Sequence, residues 1–457
     1  MLCSRDCSPG EALARCTVVQ LRCPRERAGA CQRDAGTAKV HSESGLLVPR
    51  QALRRRRRHG CPVVTRDLSW LPERHLPVVA ALAHADDLLG QVANLVYDFG
   101  TTPHGGLTVE MVAREGMAVA IVAGVTPLPP ALSFYVADVL TTLRAAVEHT
   151  LYAEVEHANR APLTTAEARA IEMPAFDTAD KFEKWLADRK NRAPKPLQLR
   201  SSPVLTYIRA LQPYQRRNSP QDHPMALLAA HTNVMKHRSP AVSALRIETG
   251  PLSPASDPRI EYFQTLGPVR VGDVLARLPI DLAAAEPEIQ LNVILGVQRP
   301  GTNQWPTVIL ELGEIAHWVR TRAVPILITG TPDVDHLPAW YDTTVGHHDH
   351  RAAISAGTWT TAVDRHEQRI LAFRLRWRLP RIILFGASPT AAATVNRWVA
   401  ALDEAEVLER YERFQRCVDD EAAAYALAAQ MIGEAQEFER QRAAAEPELP
   451  SLSEGAP

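Results

Sequence analysis

The sequence predicts an α+β fold: a helical bundle with a small hairpin and an appended antiparallel sheet, plus a C-terminal α-rich region. Three observations predict it. Apolar residues recur at three- and four-residue steps over 75–99 and 131–160, the period of helices with one buried face. Short apolar runs bounded by turn residues lie at 107–125 and again between 244 and 297, as expected of strands. A helical period returns from Tyr411 to Ile432. The length of 457 residues, with 46% hydrophobic and 23% charged side chains, is globular and long enough for two or three units.

Residues 1–74 show no sustained period. They contain Pro9, Pro24, Pro49 and the run Arg54 to Arg58. Such a run suits a basic arm for nucleic acid, but nothing apolar is at hand to order it, so a disordered extension is expected. Six of the seven Cys lie here, at positions 3, 7, 16, 23, 31 and 61, and none forms C-x-x-C or a zinc-type spacing. The remainder is almost free of Cys, as in a cytosolic protein. No apolar run approaches the roughly 18 residues of a membrane span, and the N-terminus has no signal-peptide core. A cytoplasmic location and no membrane partner are expected. The net charge of −1 gives no global attraction to nucleic acid, so such a partner needs a local patch.

The segment 75–240 reads as the helical domain. Val79, Leu82, Leu88, Leu89, Val92, Leu95 and Val96 recur at three- and four-residue steps in the first helix, and Gly100 marks its end. Runs at Leu107 to Val112 and Met117 to Val125 flank Arg114-Glu115-Gly116, which predicts a hairpin. Pro127, Pro129 and Pro130 open the long helix that follows. Short helices are expected over 181–188 and 203–212. Another starts near Asp222 and Pro224 and ends near Arg238.

Residues 241–330 form the expected β-rich extension of the same unit. Strands are expected at 244–248, 260–266, 269–277 and 288–297, with 307–313 continuing them. A helix over 315–321 and a buried run over 324–329 complete it. In the α-rich region, 331–442, a strand at 381–385 precedes a helix over 390–402. One long helix then carries Tyr411, Phe414, Val418, Ala422, Tyr425, Ala429 and Ile432. Residues 443–457, rich in Pro, Glu and Ser, are expected to be a disordered tail.

The residue types that can do chemistry concentrate on the helix 131–160. At about 100° per residue, Val136, Leu140, Leu143, Val147 and Leu151 share the core side. Asp138, His149, Tyr152 and Glu156 lie nearly opposite, and Arg144 lies between. Arg144 and Glu148 are one turn apart and can pair. At the other end of the domain, Asn233 and His237 share a helix face, with Lys236 and Arg238 beside them.

Arg144-x4-His149 resembles the Arg-x4-6-His signature of HEPN proteins. The segment from Asp138 to His149 is also similar to one recurring in bacterial and phage proteins. The similarity returns at Leu211-Gln212-Pro213-Tyr214 and at Asn233-x-x-Lys236-His237-Arg238, and it covers about residues 75–330. Ala145 stands where active HEPN ribonucleases usually carry a polar residue.

The resemblance implies a metal-independent endoribonuclease or an RNA-binding toxin or defence protein. Arg144, His149 and His237 would be catalytic, with Asn233, Lys236 and Arg238 binding substrate. It also implies possible RNA as partner and a homodimer through the helical core. The chemistry is sound in outline. An imidazole can move the proton of a ribose 2′-hydroxyl, and a guanidinium can hold the phosphate. The alternative is a non-catalytic interaction or scaffold protein of the same fold, in which Arg144, Glu148 and His149 form a polar seam. No cofactor and no metal are expected. His347, His348, Asp349 and His350, with Asp333, Asp335 and His336, have ligand residue types, but adjacent ligands on a loop suit a solvated turn better.

Overall fold

The computed structural model describes residues 17–20, 66–102, 106–189, 192–237, 241, 243–248, 258–265, 267–284, 288–384, 389–417 and 419–445. The longer helices are α1 (Leu76–Thr101), α2 (Ala131–Asn159), α3 (Ala179–Arg189), α4 (Pro203–Ala210), α5 (Pro224–His237), α6 (Val308–Trp318), α7 (Val324–Thr329), α8 (Ala362–Ile383), α9 (Pro389–Ala401), α10 (Glu404–Arg416) and α11 (Glu421–Ala445). The described strands are β1 (Thr17–Gln20), β2 (Leu107–Arg114), β3 (Met117–Val125), β4 (Ser243–Glu248), β5 (Glu261–Tyr262), β6 (Val274–Pro279) and β7 (Glu288–Val297). The fold is α+β, with small antiparallel sheets set against helices.

Two apolar clusters organise it. In the larger, α1 and α2 lie side by side and bury Val79, Leu82, Leu89, Val92 and Val96 against Leu132, Val136, Leu140, Leu143, Val147, Leu151 and Val155. These are the three- and four-step positions, so periodicity alone fixes which face turns inward. Helices α4 to α7 close around them. The smaller cluster joins Leu375, Leu379 and Ile383 of α8 to Trp398 of α9, Tyr411 of α10 and Met431 of α11. Helix α8 belongs to both, with Ala362 in the first and Ala372 in the second. The division between cores therefore falls inside α8 and not at 331, because Leu337, Tyr341 and Ile354 pack in the larger core.

The hairpin turn needs Glu115 and Gly116 at φ 52° and 77°, the left-handed pair that matches strand twist. Its strand β3 also pairs with β6, giving the order β2-β3-β6-β5. The expected separate hairpin and appended sheet are thus partly one sheet. A second sheet runs β1-β7-β4.

Several sequence expectations need correction. Residues 66–74 are not part of a disordered extension: Leu68 and Leu71 are buried, and Arg351 donates to both of their carbonyls at 2.9 and 2.7 Å. Thr17–Gln20 is a strand on β7; the rest of 1–65, including the Arg54 to Arg58 run, lies outside the described residues. The expected strand at 307–313 is the start of α6, whose buried Val308, Leu312 and Ile315 keep helical steps. The expected strands at 260–266 and 269–277 contract to β5 and β6. The β-rich label for 241–330 therefore covers only the part up to Val297.

The expected strand from Arg381 is the last turn of α8. A four-residue apolar run does not distinguish a strand from a buried helix segment. The single helix from Tyr411 is two, α10 and α11, because the Asp420 carboxylate accepts from the Ala423 N–H at 3.0 Å and opens a new helix. Of the expected tail, 443–445 finish α11, and 446–457 lie outside the described residues.

Between α6 and α7 the chain passes through a wider helical turn, Val319–Ala323, with i→i+5 bonding. It turns Arg320 into the core, where Nη2 reaches the carbonyls of Ala339 at 3.2 Å and Leu82 at 3.4 Å. Helix α7 ends at Gly330, φ 83°, where a β-carbon would meet the Tyr207 ring at 2.6 Å.

Candidate functional site

Arg144 and Glu148 sit one turn apart on the flank of α2 and form an ion pair. Both also bind the same residue of a neighbouring segment. Arg144 donates to the Met173 carbonyl at 2.6 Å, and the Met173 N–H donates to Glu148 at 2.8 Å. The segment 171–176 has neither helix nor strand to satisfy its backbone, so side chains must do so. Gln212 continues the work: its amide donates to the Pro174 carbonyl at 3.0 Å and accepts from the Phe176 N–H at 3.1 Å. The Gln212 side chain is fully buried. Two of the sequence segments singled out for chemistry thus edge an irregular strip of chain.

The remaining site residues stand apart. His149 is exposed on α2, and Asn233 and Lys236 are exposed on α5. His237 closes α5, and Arg238 lies outside the described residues. Helices α2 and α5 pack together. Among the described residues no hydrogen bond or ion pair joins Arg144 or His149 to Asn233 or Lys236.

What α5 sends inward is His231, one turn before the expected pair. It faces a charge network that local spacing does not reveal. Glu311, in the first turn of α6, is 2% exposed. Arg299, from the loop after β7, grips it with two prongs, Nε to Oε1 at 2.9 Å and Nη2 to Oε2 at 2.8 Å. The third guanidinium nitrogen donates to Asp222 at 2.9 Å and to the Gln304 side-chain carbonyl at 3.0 Å. His231 Nε2 lies 3.5 Å from Glu311 Oε1, at the outer limit of a hydrogen bond.

Burial pushes the Glu311 carboxyl up, but His231 and Arg299 outweigh it and hold the group below its usual range. Burial also works against the Arg299 charge, and Glu311 with Asp222 reverses this, so its pKa rises. Beside the network, His223 lies edge-on to Trp318 with centroids 5.2 Å apart. Its Nδ1 accepts the Met225 N–H at 3.1 Å. Burial and then nearby Arg216 push His223 down to about 4, so it is neutral at pH 7.

Two further clusters follow the same pattern. Glu154 of α2 is bound by His75 at 2.5 Å and by Arg74 at 2.7 and 3.0 Å. Burial raises the Glu154 carboxyl, and these hydrogen bonds together overcome it and lower the pKa. Asp86 of α1 accepts from the Ala362 N–H at 3.0 Å and from Arg365 at 2.9 Å, tying α1 to the start of α8. Next to it, Asp87 is raised by burial and by the Asp86 charge.

In each cluster the acid is met by bases from other segments. Both Glu311 oxygens accept and all three Arg299 nitrogens donate within the network, so the pair is directed inward. The histidine-rich loop is likewise engaged: His347 binds the Asp342 carbonyl at 2.5 Å, and Asp349 accepts from the Ala352 N–H at 2.9 Å. Among the described residues no group of three His, Cys, Asp or Glu is placed to hold a metal ion. The one sequence signal for the missed network was Glu311 itself, an acid within the apolar run Val308 to Leu312.

No family model matches the chain, and neither does any curated protein or solved structure. Among the described residues no helix is long and apolar enough to cross a membrane.

Proposed function

We propose that the chain is a non-catalytic interaction module with a HEPN-like helical core, working in the cytoplasm. The observation that carries this reading is the commitment of Arg144. Its Nη2 binds Glu148 and the Met173 carbonyl, and its Nη1 is buried without a partner among the described residues, so holding a phosphate would mean opening the seam and releasing a backbone segment. The polar seam is then an internal fastening, and function belongs to surfaces.

The exposed stripe of α2 is the surface proposed for self-association. Phe134, Asp138, His149, Tyr152 and Glu156 are all exposed, and they fall within about 60° of arc. Phe134 is 59% exposed, a large apolar group for open solvent. Sedimentation of wild type and Phe134→Asp tests this. A dimer lost in the variant supports the stripe, and a monomeric wild type removes the homodimer from the proposal.

The competing proposal is metal-independent RNA cleavage, as a toxin or defence protein, and the exposure of His149 favours it. Cleavage of assorted RNAs in EDTA by wild type and His149→Ala separates the two. Cleavage lost on substitution would establish the nuclease and end the non-catalytic reading. Wild type inert toward every RNA would end the nuclease reading.

A further inference from the structure

Helix α8 carries six arginines, and they fall into two groups. Arg365 pairs with Asp86, and Arg369 binds Glu404 at 3.1 Å and the Asn94 side chain at 3.0 Å. Arg376 donates to the Leu402 carbonyl at 2.5 Å, and Arg374 also has a partner. Arg378 and Arg381, toward the C-terminal end, are exposed and make no hydrogen bond or ion pair among the described residues.

Between the two groups stands Trp377. It is 72% exposed, more than any other large hydrophobic side chain described. At about 100° per residue, Trp377, Arg378 and Arg381 fall within about 100° of arc, and Trp377 to Arg381 rises about 6 Å. An indole face therefore projects into solvent beside two guanidiniums that make no ion pair among the described residues. Arg381 also offsets the negative end of its helix, but that role asks nothing of Trp377.

We propose that this end of α8 binds single-stranded nucleic acid, one base stacking on Trp377 while Arg378 and Arg381 hold neighbouring phosphates. Stacking needs only a π face, and the backbone supplies negative charge wherever the strand lies, so the contact is sequence-tolerant. A membrane surface fits less well, because the apolar face of α8, with Leu375, Leu379 and Ile383, is already buried and an interfacial helix needs that face free. A folded protein partner would need a surrounding apolar patch, whereas Trp377 projects alone between charged neighbours. The inference extends the interaction-module reading to a second surface, with a partner of stated chemistry.

The test is fluorescence anisotropy of a short labelled oligodeoxythymidylate with the full chain, at about 50 and 200 mM salt. DNA lacks the 2′-hydroxyl that the competing nuclease chemistry uses, so this result does not depend on the RNA-cleavage result. Wild type is expected to bind, and Trp377→Ala to bind about tenfold or more weakly, with Trp377→Phe retaining most affinity. Arg378→Gln with Arg381→Gln should flatten the salt dependence by about 0.7 in log–log slope per lost contact. Thermal melts of each variant confirm the fold; if Trp377→Ala fails to fold, Trp377→Phe and the arginine pair carry the comparison. Absence of wild-type binding at low salt overturns the proposal, as does a folded Trp377→Ala with unchanged affinity. Binding to phosphatidylserine vesicles without binding to the oligonucleotide overturns it in favour of a membrane contact.

Discussion

The pair Arg144–Glu148 and the pair Arg299–Glu311 are made of the same two residue types, yet they differ in every physical respect. The first is local, one turn apart on one helix, and partly open to solvent, with side chains 15% and 27% exposed. The second joins a loop to the start of α6, with Glu311 1% exposed and a histidine and a second acid in attendance. An exposed i,i+4 pair contributes a few tenths of a kcal/mol. A buried charge left alone costs several. The difference teaches that the pair a reader finds first is the weaker one, and that the fold leans on the pair set in a network of separate segments.

The largest expected effect tests that ranking directly. Glu311→Ala removes the buried carboxylate between Arg299 and His231, leaving Arg299 with Asp222 as its ion-pair partner, and should destabilise the protein by about 3–5 kcal/mol, read as a shift in urea midpoint. Arg144→Ala should cost less, about 1–3 kcal/mol, because it leaves the Met173 carbonyl without its donor and Glu148 without its cation. If the two losses are equal, or their order is reversed, the distinction between the pairs fails.

A pH titration sharpens the comparison on the buried side. His223 is depressed from 6.5 to about 4 in the fold, so the unfolded chain takes up the proton first. Its contribution to stability is complete above about pH 6.5 and is lost as pH falls toward 4, because burial and then the nearby Arg216 charge oppose protonation of the ring in the fold. Discounted for its partial exposure, the loss is about 1 kcal/mol. His223→Gln should remove that part of the pH dependence; an unchanged profile would show that other groups carry it. The smallest effect belongs to His149→Ala, within about 0.5 kcal/mol of wild type, since the imidazole is exposed and unattached. A calorimetric loss well beyond that would place His149 in the seam after all.

The sequence was legible where the information is periodic. The faces of α1 and α2, the hairpin turn at Glu115-Gly116 and the limits of α4 and α5 all follow from spacing and from Pro or Gly. It misled where an apolar run was short: 307–313 and 381–385 have too few residues for the period to show, and burial on all sides erases the alternation. The break before α11 depends on one carboxylate, Asp420, capping three residues ahead, a signal easily lost among the neighbouring acids. Of the candidate site, Arg144 was found with the polar seam as one of its two roles and Gln212 with none; their partners at 173–176 are ordinary backbone with no side-chain signature, so the segment they fasten was not legible. Arg299 and His231 were not found, and Asp222 only as a helix start, because only the three-dimensional path of the chain brings them to Glu311.

The wide turn at Val319–Ala323 constrains the chain in a way that no single side chain does. Ile315, Val319, Ala323 and Leu327 are all buried and follow one another in steps of four. In an unbroken α-helix each such step overshoots a full turn by about 40°, so three of them would carry Leu327 about 120° away from Ile315. A turn that accommodates one extra residue cancels much of that drift and keeps both ends of the rod in phase with the core. Loss of any one residue between 319 and 323 would let ordinary α-bonding run through while rotating everything after it by about 100°. Leu327 would swing toward water, and the tight meeting of Gly330 with Tyr207 would be undone. Along this rod, substitutions are easier to absorb than a change in the count of residues.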